Sequence, residues 1–248
     1  MVLHKLLPAT LFMLLLSGFA SGSQAASDTI RVITDPTLPP MEFMQSGQRT
    51  GFDIELVEAL ANEMGKKVEW TDSDYQGLIP AIVSGRGDAA ASAIYISDAR
   101  KKIVDFTDPY LVGGQVVLTK KDGSIKTLKD LDGRKVSVQM GTDSTKVLQS
   151  KFPHVKFIEA EKGEVMLDLV NTGRSDAAIT GRQAAGLYAH NHPNFAVLPE
   201  QITTREYGIA ISKKQPELTK DMNAALARIR NNGDYQKIAD KWLKGQVQ

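Results

Sequence analysis

From Thr29 onward, short β-rich runs alternate with amphipathic stretches. Ile30-Arg31-Val32-Ile33 reads as a strand, ended by Pro36, Pro39 and Pro40, which cannot continue a ladder. After Gly51, the stretch Phe52 to Met64 sets Ile54, Val57, Ala61 and Met64 on one helical face with acids opposite, and Gly65 stops it. Val68 to Trp70 reads as a strand, Leu78 to Ser84 as a short helix, and Asp88 to Ile96 as the next strand. Such alternation predicts βαβ units and a mostly parallel sheet.

The rhythm restarts downstream. Gln115 to Thr119 and Lys135 to Val138 are strand-like, and Gly141-Thr142-Asp143-Ser144 opens a helix running to about Ser150. Val155 to Ile158, a helix Glu164 to Thr172 and a strand Ser175 to Thr180 follow. A helix Pro216 to Asn231, with Leu218, Met222, Ala225 and Ile229 on one stripe, precedes a last helix Tyr235 to Leu243. There is no internal repeat and no low-complexity linker, so the pattern predicts two α/β lobes joined by strands, a hinge arrangement.

Composition changes this picture at the N-terminus. His4-Lys5, the apolar run Leu6 to Phe19 and the small residues up to Ser23-Gln24-Ala25-Ala26 have the form of a cleaved signal peptide over residues 1–26, too short a run to span a bilayer comfortably. The remaining chain balances 29 Lys+Arg, the 30 of the whole chain less Lys5, against 29 Asp+Glu. No clustered basic excess favours nucleic acid or an anionic membrane. Cysteine is absent, which excludes disulfides, thiol catalysis, a cysteine zinc site and a lipidated cysteine after the signal. His190 and His192 are followed by Pro193-Asn194 with no acid cluster nearby, so a solvated loop is expected there, with no metal and no cofactor. Hydrolase and nucleotide motifs of the HExxH, GxSxG and GxxxxGK[ST] types do not occur.

The segment Asp88 to Tyr110, DAAASAIYISDARKKIVDFTDPY, resembles the signature of the periplasmic polar amino-acid-binding proteins, the extracellular solute-binding proteins of family 3. Other blocks agree in order and spacing: Thr34-Asp35 with Pro39 to Phe43, Gly51 to Leu56, Gly77 to Ala81, Leu128 to Leu131 with Gly133 to Val136, Gln139 to Thr142, and Asn232 to Tyr235. Together they cover nearly the whole chain after residue 26. The resemblance implies a two-lobed α/β fold of the type II periplasmic-binding-protein class, without enzymatic activity. It implies a periplasmic monomer that closes on an amino-acid-like or organic-acid ligand and delivers it to the membrane permease of an ABC importer. The expected first lobe is 27–114 with 205–248 and the second is 115–204, with crossings near Gly113-Gly114 and Thr203 to Glu206.

The same resemblance implies a set of ligand contacts. Arg100 would grip a carboxylate with its planar fork, beside the Ser92, Ala93 and Tyr95 strand end. Tyr75 would lay a ring over the ligand, and Asp35 would face its side chain, favouring a cationic or hydrogen-donating group. The Gly141-Thr142-Asp143 turn would present amides at a helix N-terminus. Three positions depart from the family. Gly181 stands where an Asp pairs with the α-ammonium, Tyr95 where Thr or Ser is usual, and Leu38 where an aromatic covers the ligand. An unpaired ammonium in a closed pocket costs several kcal/mol. Either the ligand lacks that ammonium, with Arg182 meeting a second acidic group, or Asp143 or Asp35 takes the role. The rival function is an enzyme resembling cyclohexadienyl dehydratase, although Gly181 leaves no carboxyl at the matching strand end to act as general acid.

Overall fold

The computed structural model describes residues 28–244; the expected signal peptide, 1–26, lies outside the described residues. Two five-stranded sheets carry the fold, and they share one strand order. In the first, Lys67–Asp72, Thr29–Thr34 and Ala89–Ala90 run parallel, and Ala210–Ile211 and Asp105–Phe106 continue the sheet through antiparallel pairings. In the second, Lys156–Ala160, Lys135–Gln139 and Ala177–Gly181 run parallel, followed by antiparallel Gln115–Lys120 and Phe195–Gln201. Each sheet is thus mixed. The strand next to the parallel set is in each case the one that has just crossed from the other unit. Leu111–Gly113 and Arg205–Tyr207 pair antiparallel between the two sheets, so both crossings lie side by side.

Helices cover both faces of the first sheet. Phe52–Glu63 and Pro216–Asn231 pack on one face with Asp234–Leu243, burying Phe52, Leu56, Leu60, Met222, Leu226 and Ile229. Full burial of a side chain such as Phe52 contributes about 1.5–3 kcal/mol. Leu78–Ser84 packs on the other face through Leu78 and Ile82 against Ile33 and Ile94. In the second unit, Val117, Val138 and Leu148 form one core layer, and Val116, Met166 and Phe195 another.

Several elements differ from the sequence reading. The strand expected over Asp88 to Ile96 ends at Ala90, because Ala93 adopts φ +46° and cannot stay in a ladder. Residues 190–192 are not a solvated loop: His190 lies in the last turn of the helix Arg182–Asn191, and the His192 ring stacks on Tyr188 at 4.0 Å. A hairpin, Glu42–Gln45 with Gln48–Thr50, was also invisible to the hydrophobic pattern, its strands being too short and polar to show a period.

Candidate functional site

The site begins with one helix N-terminus. Gly51 adopts φ +125° and brings the helix Phe52–Glu63 so close to Met41 that any side chain there would overlap the Met41 carbonyl. The Phe52 and Asp53 amides donate to Pro40 O at 2.9 Å and Met41 O at 2.8 Å, which satisfies the orphan donors of the first turn. Asp53 is buried, and its Oδ2 accepts from the Ala93 amide at 2.6 Å and the Tyr110 hydroxyl at 2.9 Å. This clamp holds Ala93 in its left-handed conformation, at a cost on the order of 1–3 kcal/mol, and so sets the path of the chain toward Arg100, whose Nη2 stands 3.4 Å from Gly141 O across the seam.

Two further acids stand beside it. Buried Ser92 donates to Glu42 Oε1 at 3.1 Å and accepts from the Asp35 amide at 3.1 Å. Burial, and then the Asp53 charge, push the Glu42 carboxyl well above its ordinary range. Burial raises Asp53 to about 6, and it raises Asp35 likewise to about 6, partly offset by hydrogen bonds from Thr37 and Gln139.

Across the seam the two units touch through polar groups. Gln139 Nε2 donates to Asp35 Oδ2 at 2.7 Å, the Gly163 amide donates to Thr37 Oγ1 at 3.1 Å, and Asp143 pairs with Arg205 at 2.9 Å. Between them lies a narrow cavity of about 30 Å³, room for two or so waters, so a metabolite of amino-acid size enters only if the units part or side chains move. Its walls include Leu38, Met41, Tyr75, Ala93 and Tyr95 from one side and Gln115, Gln139, Thr142, Ser144, Thr180, Gly181 and Gln183 from the other. None of the lining residues is charged.

The sequence-derived set therefore divides. Leu38, Tyr75, Ala93, Tyr95, Thr142 and Gly181 line the cavity. Ser92 lies beneath it and Asp35 behind Gln139. Asp143 is engaged with Arg205. Arg182 opens a helix, with its amide on Gly114 O, and is not among the cavity residues. Arg100 and Gly141 sit beyond Tyr75, in an adjoining cleft. Arg100 Nη1 donates to Tyr95 O at 2.9 Å, while its Nη2 has only Tyr75 Oη and Gly141 O, both at 3.4 Å. The helix Ser144–Lys151 has no side-chain cap, since Thr142 Oγ1 bonds Gln139 O at 2.7 Å and Asp143 turns to Arg205.

The departures at Tyr95 and Gly181 lie on either side of Tyr207. Tyr95 stacks on Tyr207 with ring centroids 4.6 Å apart and hydroxyls 3.0 Å apart. A Cβ at position 181 would lie 2.6 Å from Tyr207 Oη and 3.5 Å from Tyr95 Oη. Tyr207, on which Tyr95 stacks, occupies the space that a side chain at 181 would need. Gln115, Gln183 and Tyr207 escaped the sequence reading. Gln183 belongs to the helix that the pattern did not reveal. Gln115 carried one usable signal: it is the first residue of a strand directly after Gly113-Gly114.

An interlobe cavity in a pair of mixed α/β units, crossed twice by adjacent strands, defines a two-lobed binding protein of the type II class. The model of the bacterial extracellular solute-binding proteins, family 3, matches residues 30–245, and the chain belongs to that family. It is 33% identical over 236 residues to ABC transporter arginine-binding protein 1 of Escherichia coli (strain K12), covering 92% of this chain and 96% of the relative. It is 32% identical to the L-cystine-binding protein TcyJ of the same strain, covering 88% of this chain and 84% of that one. Among solved structures, the ancestral amino acid-binding protein AncCDT-1, a precursor of cyclohexadienyl dehydratase, superposes with a TM-score of 0.81 at 38% identity, covering 88% of this chain and 96% of that one. These relatives are binding proteins.

Proposed function

We propose that this chain is the periplasmic receptor of an ABC importer and closes on a small carboxylate-bearing solute, which it hands to a membrane permease. Residues 27–114 with 205–248 form one lobe and 115–204 the other, the 1–26 segment is removed on export, and the receptor acts as a monomer. The observation that carries the reading is Arg100. Its guanidinium sits half-buried at the seam with neutral oxygens as its hydrogen-bond partners, and no carboxylate pairs with it among the described residues. Contacts of 3.4 Å lie beyond good hydrogen-bond range. A ligand carboxylate, making charge-assisted and bidentate bonds, displaces them readily. Closure then brings the Gly141-Thr142 turn and the Gly181 corner onto the ligand and shifts the population toward the closed form.

The rest of the ligand meets an uncharged wall. The relatives are named for arginine and L-cystine; here no lining carboxylate stands ready for an α-ammonium, and the reading is a ligand other than a standard α-amino acid. A thermal-shift screen of amino acids, amines and organic acids, followed by calorimetry on Arg100→Ala, tests this. Loss of binding is expected; unchanged affinity in Arg100→Ala removes the anchor. The dehydratase-like alternative requires a general acid within reach of the substrate. Asp35, a raised carboxyl bonded to the lining residue Gln139, is held by Gln139 and Thr37. Turnover of prephenate or arogenate would replace the receptor reading.

A further inference from the structure

Gln115 is the first residue of the strand Gln115–Lys120, and its direct partner across the antiparallel ladder is Gly181. It therefore stands beside the position where the family's ammonium-binding aspartate is missing. The residue is 1% exposed and lines the cavity. The amide orientation follows from its neighbours. Nε2 donates to Ser144 Oγ at 2.7 Å and faces Asp143 Oδ1 at 3.4 Å, and an ionised carboxylate only accepts. The other end, Oε1, is buried and has no hydrogen-bond partner. Leaving such an acceptor empty costs about 1–3 kcal/mol.

The neighbouring hydroxyls do not fill it. Thr142 Oγ1 gives its proton to Gln139 O at 2.7 Å, and the Ser144 and Thr142 hydroxyls are 3.1 Å apart. Thr142 Oγ1 is the donor of that contact too, so Ser144 Oγ accepts from both Thr142 and Gln115 Nε2. These contacts hold the Gln115 amide with Nε2 toward Ser144 and Asp143 and leave Oε1 an acceptor without a donor. An amide oxygen carries only partial charge, and none of the lining residues is charged. The adjacent Asp143 carboxylate is already paired with Arg205 at 2.9 Å, so an ammonium placed there would be desolvated without a free counter-charge, whereas a hydroxyl or amide N–H is matched.

We propose that Gln115 Oε1 is the specificity-determining acceptor of this receptor, and that it selects a carboxylate ligand bearing an uncharged hydrogen-bond donor, an α-hydroxyl or acylated α-nitrogen, over the α-ammonium of an amino acid. The inference rests on the receptor reading above and deepens it. Matched pairs of α-amino and α-hydroxy (or N-acetyl) acids with the same side chain, titrated by calorimetry into the full receptor, provide the test. The wild type binds the uncharged member of a pair more tightly. Gln115→Leu weakens that member about tenfold, the loss of one buried hydrogen bond, and Gln115→Glu shifts preference toward the amino member. Preference of the wild type for the amino member, or unchanged affinity in Gln115→Leu, overturns the inference. Arg100→Ala separates the two claims: if it leaves binding intact while Gln115→Leu lowers it, the carboxylate anchor fails and the Gln115 acceptor stands. No binding of either member of any pair overturns both.

Discussion

The two walls of the cleft are built on the same strand order but differ in chemistry. The first unit brings charge: Asp35, Arg100 and, below the floor, Glu42 and Asp53. The second brings carboxamides and hydroxyls, Gln115, Gln139, Thr142, Ser144, Thr180 and Gln183. Most charge of the first wall is directed into the protein itself. Asp53 shapes the backbone at Ala93, Asp35 fastens the units through Gln139, and only Arg100 is loosely held. Arg100 apart, charge in this molecule thus builds and closes the cleft, while neutral groups face what it encloses. A uniformly charged wall would bind tightly but discriminate by charge alone; neutral, oriented amides discriminate by donor and acceptor pattern.

The strongest way to break this contrast is to remove the shaping charge. Asp53→Ala leaves the Ala93 amide and the Tyr110 hydroxyl without their buried acceptor. A loss of about 3 kcal/mol is expected, read as a lowered urea midpoint, and an unchanged midpoint would mean that Ala93 holds its conformation unaided. A somewhat smaller effect should follow from restoring charge to the neutral wall. Gly181→Asp forces a side chain into Tyr207 Oη, 2.6 Å from its Cβ, and should cost about 2 kcal/mol. Adding Tyr207→Phe, which removes the hydroxyl that the new Cβ meets, should return part of that stability. If the double variant melts no higher than Gly181→Asp, the Tyr207 hydroxyl is not what excludes a side chain at 181.

The smallest effect concerns pH. The folded carboxyls of Asp35 and Asp53 are raised to about 6 and that of Glu42 further, against unfolded values of about 4. The folded state therefore holds protons that the unfolded state releases. The stabilisation from these groups is complete below about pH 4 and is lost as pH rises through the folded values near 6. Asp88, lowered by Arg31 despite partial burial, acts in the opposite sense, but only in stronger acid. The melting temperature should thus rise as pH falls from 8 toward 5, by about 2–4 °C per kcal/mol gained in a chain of this size. Glu42→Gln should flatten the rise, and an equally steep profile in that variant would exclude Glu42 as its source.

Much of the scaffold was legible along the chain. The helices Phe52–Glu63 and Pro216–Asn231 show apolar stripes because each buries one face on a sheet. The strands Thr29–Thr34 and Lys135–Gln139 are dense in β-branched residues because they run through sheet interiors. The motif blocks pointed to Arg100, Tyr75 and the turn at Gly141 as neighbours, and these three do meet. What stayed hidden was conformational and relational. Nothing local marks Ala93 as left-handed, since the clamp comes from Asp53, forty residues earlier in the chain.

By itself the sequence determined the class of the protein, the alternation that builds two α/β units, and the absence of an aspartate at position 181, because periodicity and motif order are written along one dimension. Only the tertiary structure decided what that absence means. Gly181 and Tyr207 are apart in the chain, yet a side chain at 181 and the Tyr207 hydroxyl would claim one volume, and Gln115 becomes a candidate acceptor only once strand pairing sets it beside Gly181. Volume exclusion and the direction of a hydrogen-bond chain are properties of three-dimensional neighbours, and no single stretch of sequence contains them.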